Sequence, residues 1–220
     1  MNATGLHDEG RFALMAEEQR LPRAIARLED EDACALPWIE GATCASLVGA
    51  LDALPFRKAR PVVGEGERAV FQDFDICMKV PADHPIHELR RLTEAALQRA
   101  LRSLDPPAIA TPFVLNDLVV QRYRPGSAGI SPHRDHARYV GLVALVLIGG
   151  DGIFSVCADR SGAGERAIPA APGDLILMRA PGLFGRRDRP FHQLKSVTRE
   201  RTTVGLRHDT TKPLGEGLLS

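Results

Sequence analysis

The sequence predicts an α+β fold in which helices come first and a sandwich or jelly roll of short strands follows. From residue 115 onward, short runs rich in β-branched residues alternate with Gly, Pro and Asp, a texture typical of sandwiches and jelly rolls. Upstream of that point, apolar residues recur at helical spacing instead. The length of 220 residues is typical of one domain with a full core, so we expect a single domain.

Three helical segments are predicted in the first half of the chain. Residues 9–32 carry apolar residues at helical intervals but include Pro22, so we expect a helix broken there and a helical N-terminal appendage over residues 1–40. A second helix is predicted over residues 43–54. The third covers residues 85–104, where an apolar stripe predicts that the helix backs a sheet and an Asp-Pro-Pro sequence ends it.

Strands are predicted on both sides of the third helix. Residues 56–63 and 68–80 are expected to be extended, with Gly64 and Gly66 forming the turn between them. The Gly- and Arg-rich stretch 180–190 is typical of a mobile loop. Seven further strands are predicted in the second half of the chain, at residues 115–124, 140–148, 152–157, 165–169, 174–179, 191–197 and 202–208.

The overall composition is that of an ordinary globular protein, with 44% hydrophobic and 25% charged residues. The longest apolar run, residues 140–148, is too short to span a bilayer, so we expect no membrane segment. The first residues lack a basic stretch followed by an apolar one, which predicts no secretory signal and a cytoplasmic location. No CxxC pair is formed by Cys34, Cys44, Cys77 and Cys157, so we expect neither a disulfide nor a zinc site.

The formal charge is zero overall but differs between the two halves of the chain. Residues 1–120 hold 13 Lys and Arg against 19 Asp and Glu, whereas residues 121–220 hold 15 against 9. Nucleic-acid binders commonly have a pI above roughly 9, and this chain has a pI of about 7.1. A polyanionic partner would therefore need a local basic patch, and an anionic cosubstrate fits the basic half equally well.

A candidate metal site begins at His133 and Asp135. Because the two residues are two positions apart, an extended backbone projects both side chains to one face, where they can share an ion. His192, at the start of a later predicted strand, would complete a set of two imidazoles and one carboxylate, which suits Fe(II) and leaves coordination positions open. A His-x-Asp pair also occurs often by chance, and His136 is an alternative ligand, although extended spacing favours His133.

A candidate anion site lies on the predicted last strand, where Arg201, Thr203, Gly205 and Arg207 alternate and therefore share a face. Two inward arginines would need an anion, and a carboxylate can pair with a guanidinium through two hydrogen bonds. Gly205 would leave space for the ligand to approach. The alternative is a solvated edge on which these arginines are surface charges. A companion strand favours the ligand site, because Gln121 and Tyr123 also share a face just before the His-x-Asp segment.

The order of these residues resembles the AlkB-like branch of the Fe(II)/2-oxoglutarate oxygenases over roughly residues 115–209. The resemblance implies a double-stranded β-helix core at 115–209, Fe(II) on the two histidines and the aspartate, and 2-oxoglutarate with its far carboxylate on Arg201. It also implies that Tyr123 helps hold that carboxylate. The matching groups follow one another as Gln121-Arg122-Tyr123-Arg124-Pro125-Gly126, His133-x-Asp135, His192 and Arg201-x5-Arg207.

The chain departs from the AlkB-like pattern at two points, and nothing in residues 1–110 matches it. Gln121 stands where that pattern has asparagine, and Arg201 follows His192 by nine positions, which is nearer the spacing of the wider superfamily. The implied chemistry is consumption of molecular oxygen, conversion of 2-oxoglutarate to succinate and CO2, and hydroxylation or oxidative dealkylation of a substrate.

The sequence favours a small-molecule substrate over alkylated nucleic acid. Base-flipping enzymes need stacking aromatics and a phosphate-binding surface, and only 5% of this chain is aromatic. A non-catalytic, cupin-like binding module is a further alternative, and the oligomeric state is left open. The upstream candidates for base stacking are Trp38, Phe56, Phe71 and Phe74, and the candidates for phosphate contacts are Arg186, Arg187 and Arg189.

Overall fold

A computed structural model describes residues 14–15, 20–109 and 112–214. The helices are α1 (Arg20–Arg27), α2 (Gly41–Asp52) and α3 (Ile86–Arg102). The strands are β1 (Ala33–Pro37), β2 (Arg57–Lys58), β3 (Val62–Val63), β4 (Val70–Asp73), β5 (Asp75–Cys77), β6 (Asp117–Tyr123), β7 (Gly129–His133), β8 (Tyr139–Gly149), β9 (Ile153–Cys157), β10 (Arg166–Ala167), β11 (Asp174–Arg179), β12 (Phe191–Lys195) and β13 (Arg201–Asp209). No helix in these ranges is long and apolar enough to cross a membrane.

The strands form two antiparallel sheets that pack face to face. The larger sheet has the order β1-β11-β8-β13-β6-β5-β2, and the smaller has the order β10-β9-β12-β7-β4-β3. Between them lies an apolar cluster to which β8 and β11 contribute Leu145 and Met178, while β9 and β12 contribute Val156 and Leu194. Two sheets joined by such a cluster form a jelly roll, which confirms the predicted α+β class.

The three helices cover the outer face of the larger sheet, as the apolar stripe of α3 predicts. Leu89 and Leu97 of α3 pack in one buried cluster with Leu142, Ala144 and Val146 of β8. Val143 and Leu145 of the same strand point the other way, into the space between the sheets. Burial on both faces explains why this strand is a continuous apolar run rather than an alternating one.

The N-terminal region differs from the predicted helical appendage. Residues 33–37 form strand β1, which pairs with β11 at the edge of the larger sheet, so tertiary pairing overrides local propensity there. Pro22 lies in the first turn of α1 and does not break it, because first-turn residues need no backbone N–H. Trp38 is fully buried, and its indole N–H donates to Thr93 Oγ1 at 3.1 Å. Residues 9–13 and 16–19 of the predicted helix fall outside the described residues.

A tight turn between β8 and β9 fixes the start of β13. Gly150 has a φ of +79°, and a Cβ there would lie 1.9 Å from the carbonyl oxygen of Glu200. The carboxylate of the next residue, Asp151, accepts hydrogen bonds from the backbone N–H groups of Thr198 and Arg199 at 2.7 and 2.9 Å. The turn thereby holds the segment that leads directly into β13.

We expect Gly150→Ala to destabilise the protein by about 2–4 kcal/mol, because the substitution adds left-handed strain to a steric clash. Gly49→Ala is the matched control: it lies on the exposed face of α2 with nothing within 4 Å of the new Cβ. That control should stabilise by roughly 0.5–1 kcal/mol. Urea unfolding measures both, and a Gly150→Ala protein as stable as the wild type would contradict the close approach of the two segments.

Candidate metal and cosubstrate site

Two histidines face each other across the pairing of β7 with β12. His133 is directly opposite His192, and the next matched pair is Ile130 with Leu194. Between these pairs β7 has one residue more than β12, a β-bulge that contains Pro132, which could not continue a regular ladder. The two imidazole rings lie 4.2 Å apart, centre to centre. The bulge therefore sets the register that brings both rings to one point.

Asp135 completes a group of three possible metal ligands. One ligand atom each from His133, Asp135 and His192 lies within 4.8 Å of the others, and His192 Nε2 is 3.9 Å from Asp135 Oδ1. Within the part of the chain described, no other group of three such residues is assembled. His136 lies outside the group, with its ring edge-on to Tyr139 at 5.9 Å.

Backbone carbonyls fix the tautomers of both histidines. His133 Nδ1 lies 2.9 Å from the carbonyl oxygen of Ser131, and His192 Nδ1 lies 3.4 Å from that of Pro190. A carbonyl only accepts hydrogen bonds, so Nδ1 carries the proton in each neutral ring. Both Nε2 lone pairs are then available to a metal, as in metal sites whose histidines donate their other N–H to a carbonyl.

The electrostatics of the three residues suit metal binding at neutral pH. Burial and the neighbouring His192 lower the pKa of His133 to about 3, and burial also lowers the pKa of His192. Burial alone would raise the pKa of Asp135, but Arg207 and the two histidines outweigh it and lower the pKa to about 2. Two neutral imidazoles and one carboxylate are the protonation states that a metal requires.

Arg207 lies beside His133, Asp135 and His192, here called the triad, and does not face an open space. Its Nε is 3.4 Å from Asp135 Oδ2, and its Nη1 is 3.5 Å from Asp117 Oδ2. Gly205 makes room for this guanidinium, because a Cβ there would lie 3.0 Å from Nη1. The sequence predicts that the space at Gly205 admits a ligand, but in the structure the Arg207 side chain occupies that space. Asp117 is not among the residues that the sequence predicts for the site. It nevertheless lies on the same face of β6 as Gln121 and Tyr123, because the three residues are separated by even numbers of positions.

Arg201 is buried without a counter-ion. It is 2% exposed, its Nε has no hydrogen-bond partner, and no ion pair to it exists among the described residues. Burial lowers its pKa to about 10, so it stays charged at neutral pH. Thr203, two residues along the same face, also has a buried hydroxyl without a partner. An unpaired buried charge costs several kcal/mol, so these groups fit an anionic ligand.

The predicted companion residues lie across the β6–β13 pairing. Tyr123 is opposite Arg201 and Gln121 is opposite Thr203, so the alternation predicted on each strand places these side chains together. Burial raises the pKa of Tyr123, while Arg201 and Arg207 oppose that rise and Asp135 adds to it. Its hydroxyl thus lies within the field of both Arg201 and the metal-ligand group. The Tyr123 ring packs on Phe74 at 4.9 Å.

The fold of the chain is similar to that of several solved structures. No family model and no curated protein matches the chain, but solved structures do. An oxidoreductase of the 2OG-Fe(II) oxygenase family from Burkholderia pseudomallei has a TM-score of 0.64 at 17% identity, covering 89% of this chain and 93% of that one. A prolyl hydroxylase from Trichoplax adhaerens, in complex with a hypoxia inducible factor peptide fragment, has a TM-score of 0.63 at 14% identity, covering 88% and 90%. A prolyl-4-hydroxylase from Pseudomonas putida has a TM-score of 0.60 at 15% identity, covering 86% and 98%. The chain therefore has the jelly-roll fold of the 2OG-Fe(II) oxygenases.

Proposed function

We propose that the chain is an Fe(II)- and 2-oxoglutarate-dependent dioxygenase. In this proposal His133, Asp135 and His192 hold the iron, and Arg201 binds the far carboxylate of 2-oxoglutarate. The observation that carries it is the buried, uncompensated Arg201 in the same jelly roll as two histidines and one carboxylate. The similar structures support the same chemistry.

The donor set and the anion site fit these two groups. Two imidazoles and a carboxylate leave positions open on Fe(II) for oxygen and an organic acid, and Arg201, Thr203, Tyr123 and Gln121 offer charge and hydrogen bonds to a carboxylate. When bound, iron and 2-oxoglutarate would supply the oxidation: O2 and 2-oxoglutarate are consumed, succinate and CO2 are released, and a substrate C–H bond becomes C–OH.

The protein's own residues orient these groups and exclude water. Arg207 holds Asp135 Oδ2, which leaves Oδ1 on the side of His192. The apolar cluster between the sheets includes Leu194 and Phe154, and the Phe154 ring lies 5.8 Å from that of His192, so the cluster shields the His192 side of the site from water. A hydroxylated carbon next to nitrogen would break down by dealkylation, so both outcomes belong to the proposal. A non-catalytic, cupin-like module would bind the same ligands without producing succinate.

We infer that the substrate is a small molecule rather than nucleic acid, because most residues that could contact phosphates or stack on bases are engaged within the protein. Arg186 donates to Asp188 and to the carbonyl of Glu29, and Arg189 donates to the carbonyl of Asp135, which leaves Arg187 as the loop arginine without such a role. Trp38 is fully buried. Trp38 is therefore unavailable for base stacking, and the guanidinium groups of Arg186 and Arg189 are already engaged in contacts within the chain.

Of the other three stacking candidates, two contact residues of the chain itself and one is exposed. Phe74 packs on Tyr123 inside the protein, and Phe56 lies under the Arg122 guanidinium, whereas Phe71 is 62% exposed.

AlkB-type demethylation of alkylated nucleic acid is the alternative, and the AlkB-like branch remains a proposal. The prolyl hydroxylases among the similar structures add prolyl peptides as a substrate class to screen. A cytoplasmic location also stays a prediction.

The first test concerns the metal ligands. His133→Ala, Asp135→Ala and His192→Ala should each abolish Fe(II) binding near neutral pH, because a site with three protein ligands has no redundancy. His136→Ala should retain the metal, since that side chain lies outside the group. Anaerobic calorimetry decides the matter, and wild-type affinity in any of the first three variants would remove that residue from the site.

The second test concerns 2-oxoglutarate. Arg201→Lys should raise its dissociation constant by roughly 10- to 100-fold, because an ammonium cannot reproduce the two-pronged grip of a guanidinium. Fe(II) affinity should change little. Arg199→Lys is the matched control, since Arg199 is exposed and pairs with Asp151. The spectrum of the anaerobic iron complex, titrated with 2-oxoglutarate, reports the affinity. Equal affinities in wild type and Arg201→Lys would transfer the role to Arg207 or elsewhere.

The third test concerns the substrate class. Succinate release should be insensitive to salt and unstimulated by methylated oligonucleotides, because phosphate-driven binding weakens steeply as salt rises. The screen compares metabolites, prolyl peptides and alkylated single- and double-stranded DNA and RNA at low and physiological salt. Salt-dependent binding of oligonucleotides together with stimulated turnover would replace the small-molecule proposal by the AlkB-type alternative.

A further inference from the structure

Residues 188–190, here called the bracket, contact two of the three triad residues. Arg189 Nη1 donates a hydrogen bond to the backbone carbonyl of Asp135 at 2.5 Å. The carbonyl of the next residue, Pro190, lies 3.4 Å from His192 Nδ1. The bracket also leads directly into β12, which carries His192. One short segment therefore links the loop that carries Asp135 to the strand that carries His192.

Asp135 depends on such a contact because it lies outside the strand ladder. β7 ends at His133, and β8 begins at Tyr139, so Asp135 belongs to the connection between them. Its side chain is held by Arg207 at 3.4 Å, which restrains the carboxylate but not the peptide that carries it. The hydrogen bond from Arg189 restrains that peptide. The two arginines thus act on different parts of the same residue.

The bracket is anchored by a buried arginine on β11. Arg179 is 5% exposed and holds Asp188 twice, through Nη1 to the carbonyl oxygen at 3.1 Å and through Nη2 to Oδ2 at 2.6 Å. Its Nε donates to Asp32 Oδ1 at 2.8 Å. The hydrogen bond from Arg179 is the main cause that lowers the pKa of Asp188 to about 2. Arg179 therefore restrains both the backbone and the side chain of Asp188, the residue immediately before Arg189.

We propose that Arg189 is a positioning residue for Asp135 and that the Arg179–Asp188 ion pair holds Arg189 in place. The proposal rests on the proposed function, because it requires Asp135 to be a metal ligand. Loss of an outer contact of this kind typically lowers metal affinity by about 10- to 100-fold, since the ligand must be reordered when the metal binds. Arg189 would act on affinity and coordination geometry without touching the metal.

The test uses Mn(II) calorimetry and the Co(II) absorption spectrum, which do not depend on turnover. Arg189→Met should weaken Mn(II) binding by about 10- to 100-fold and alter the Co(II) spectrum, with the melting temperature of the metal-free protein unchanged. Arg189→Lys should recover part of the affinity, because a lysine can still donate to a carbonyl. Arg187→Met, in the same loop and exposed, is the matched control and should behave as the wild type.

A double-mutant cycle tests the anchor. Asp188→Asn should weaken Mn(II) binding in the wild-type background but have no further effect beside Arg189→Met, because both changes act through one contact. Additive losses would overturn the role of the ion pair. Wild-type Mn(II) affinity in Arg189→Met would overturn the positioning role. A wild-type protein that binds no metal at all would instead overturn the proposed function itself and the inference with it.

Discussion

The buried positive charge of Arg201 is the constraint on which the rest of the site depends. β13 pairs with β6 on one side and β8 on the other, so the start of the strand cannot turn this side chain out to solvent without breaking the larger sheet. No carboxylate of the described residues forms an ion pair with it, and Asp151 stabilises its charge only from farther away. Burying a charge without a partner is costly, and the proposed function assigns the missing partner to an anionic ligand inside the jelly roll.

Arg207, the second buried arginine of β13, differs from Arg201 because it has carboxylate partners. Arg207 is also buried, but Asp135 and Asp117 compensate it, and Asp135 thereby stays ionised beside two neutral imidazoles. One strand thus carries Arg207, which has carboxylate partners beside the three candidate metal ligands, and Arg201, which forms no ion pair among the described residues. Tyr123 lies in the field of both. A ligand with one end suited to a metal and a carboxylate at the other matches this asymmetry, as 2-oxoglutarate does.

Two-residue alternation made part of this arrangement predictable from sequence. It placed Arg201 with Thr203 and Tyr123 with Gln121 on shared faces, and the register of β6 with β13 confirms that the two faces meet. Other features depend on tertiary structure. Strand β1 exists because β11 pairs with it, the bulge at Pro132 sets the facing of His133 and His192, and the space at Gly205 belongs to the Arg207 side chain. No local pattern in the sequence encodes these three.

The most direct test of this account is a crystal structure of the protein grown with Mn(II) in place of Fe(II) and with 2-oxoglutarate. The account predicts one metal ion held by His133, Asp135 and His192, and a single 2-oxoglutarate that reaches from that ion to the Arg201 guanidinium. A metal bound by other residues would contradict it. So would an Arg201 that is neutralised by a carboxylate of the chain itself and leaves no place for the ligand.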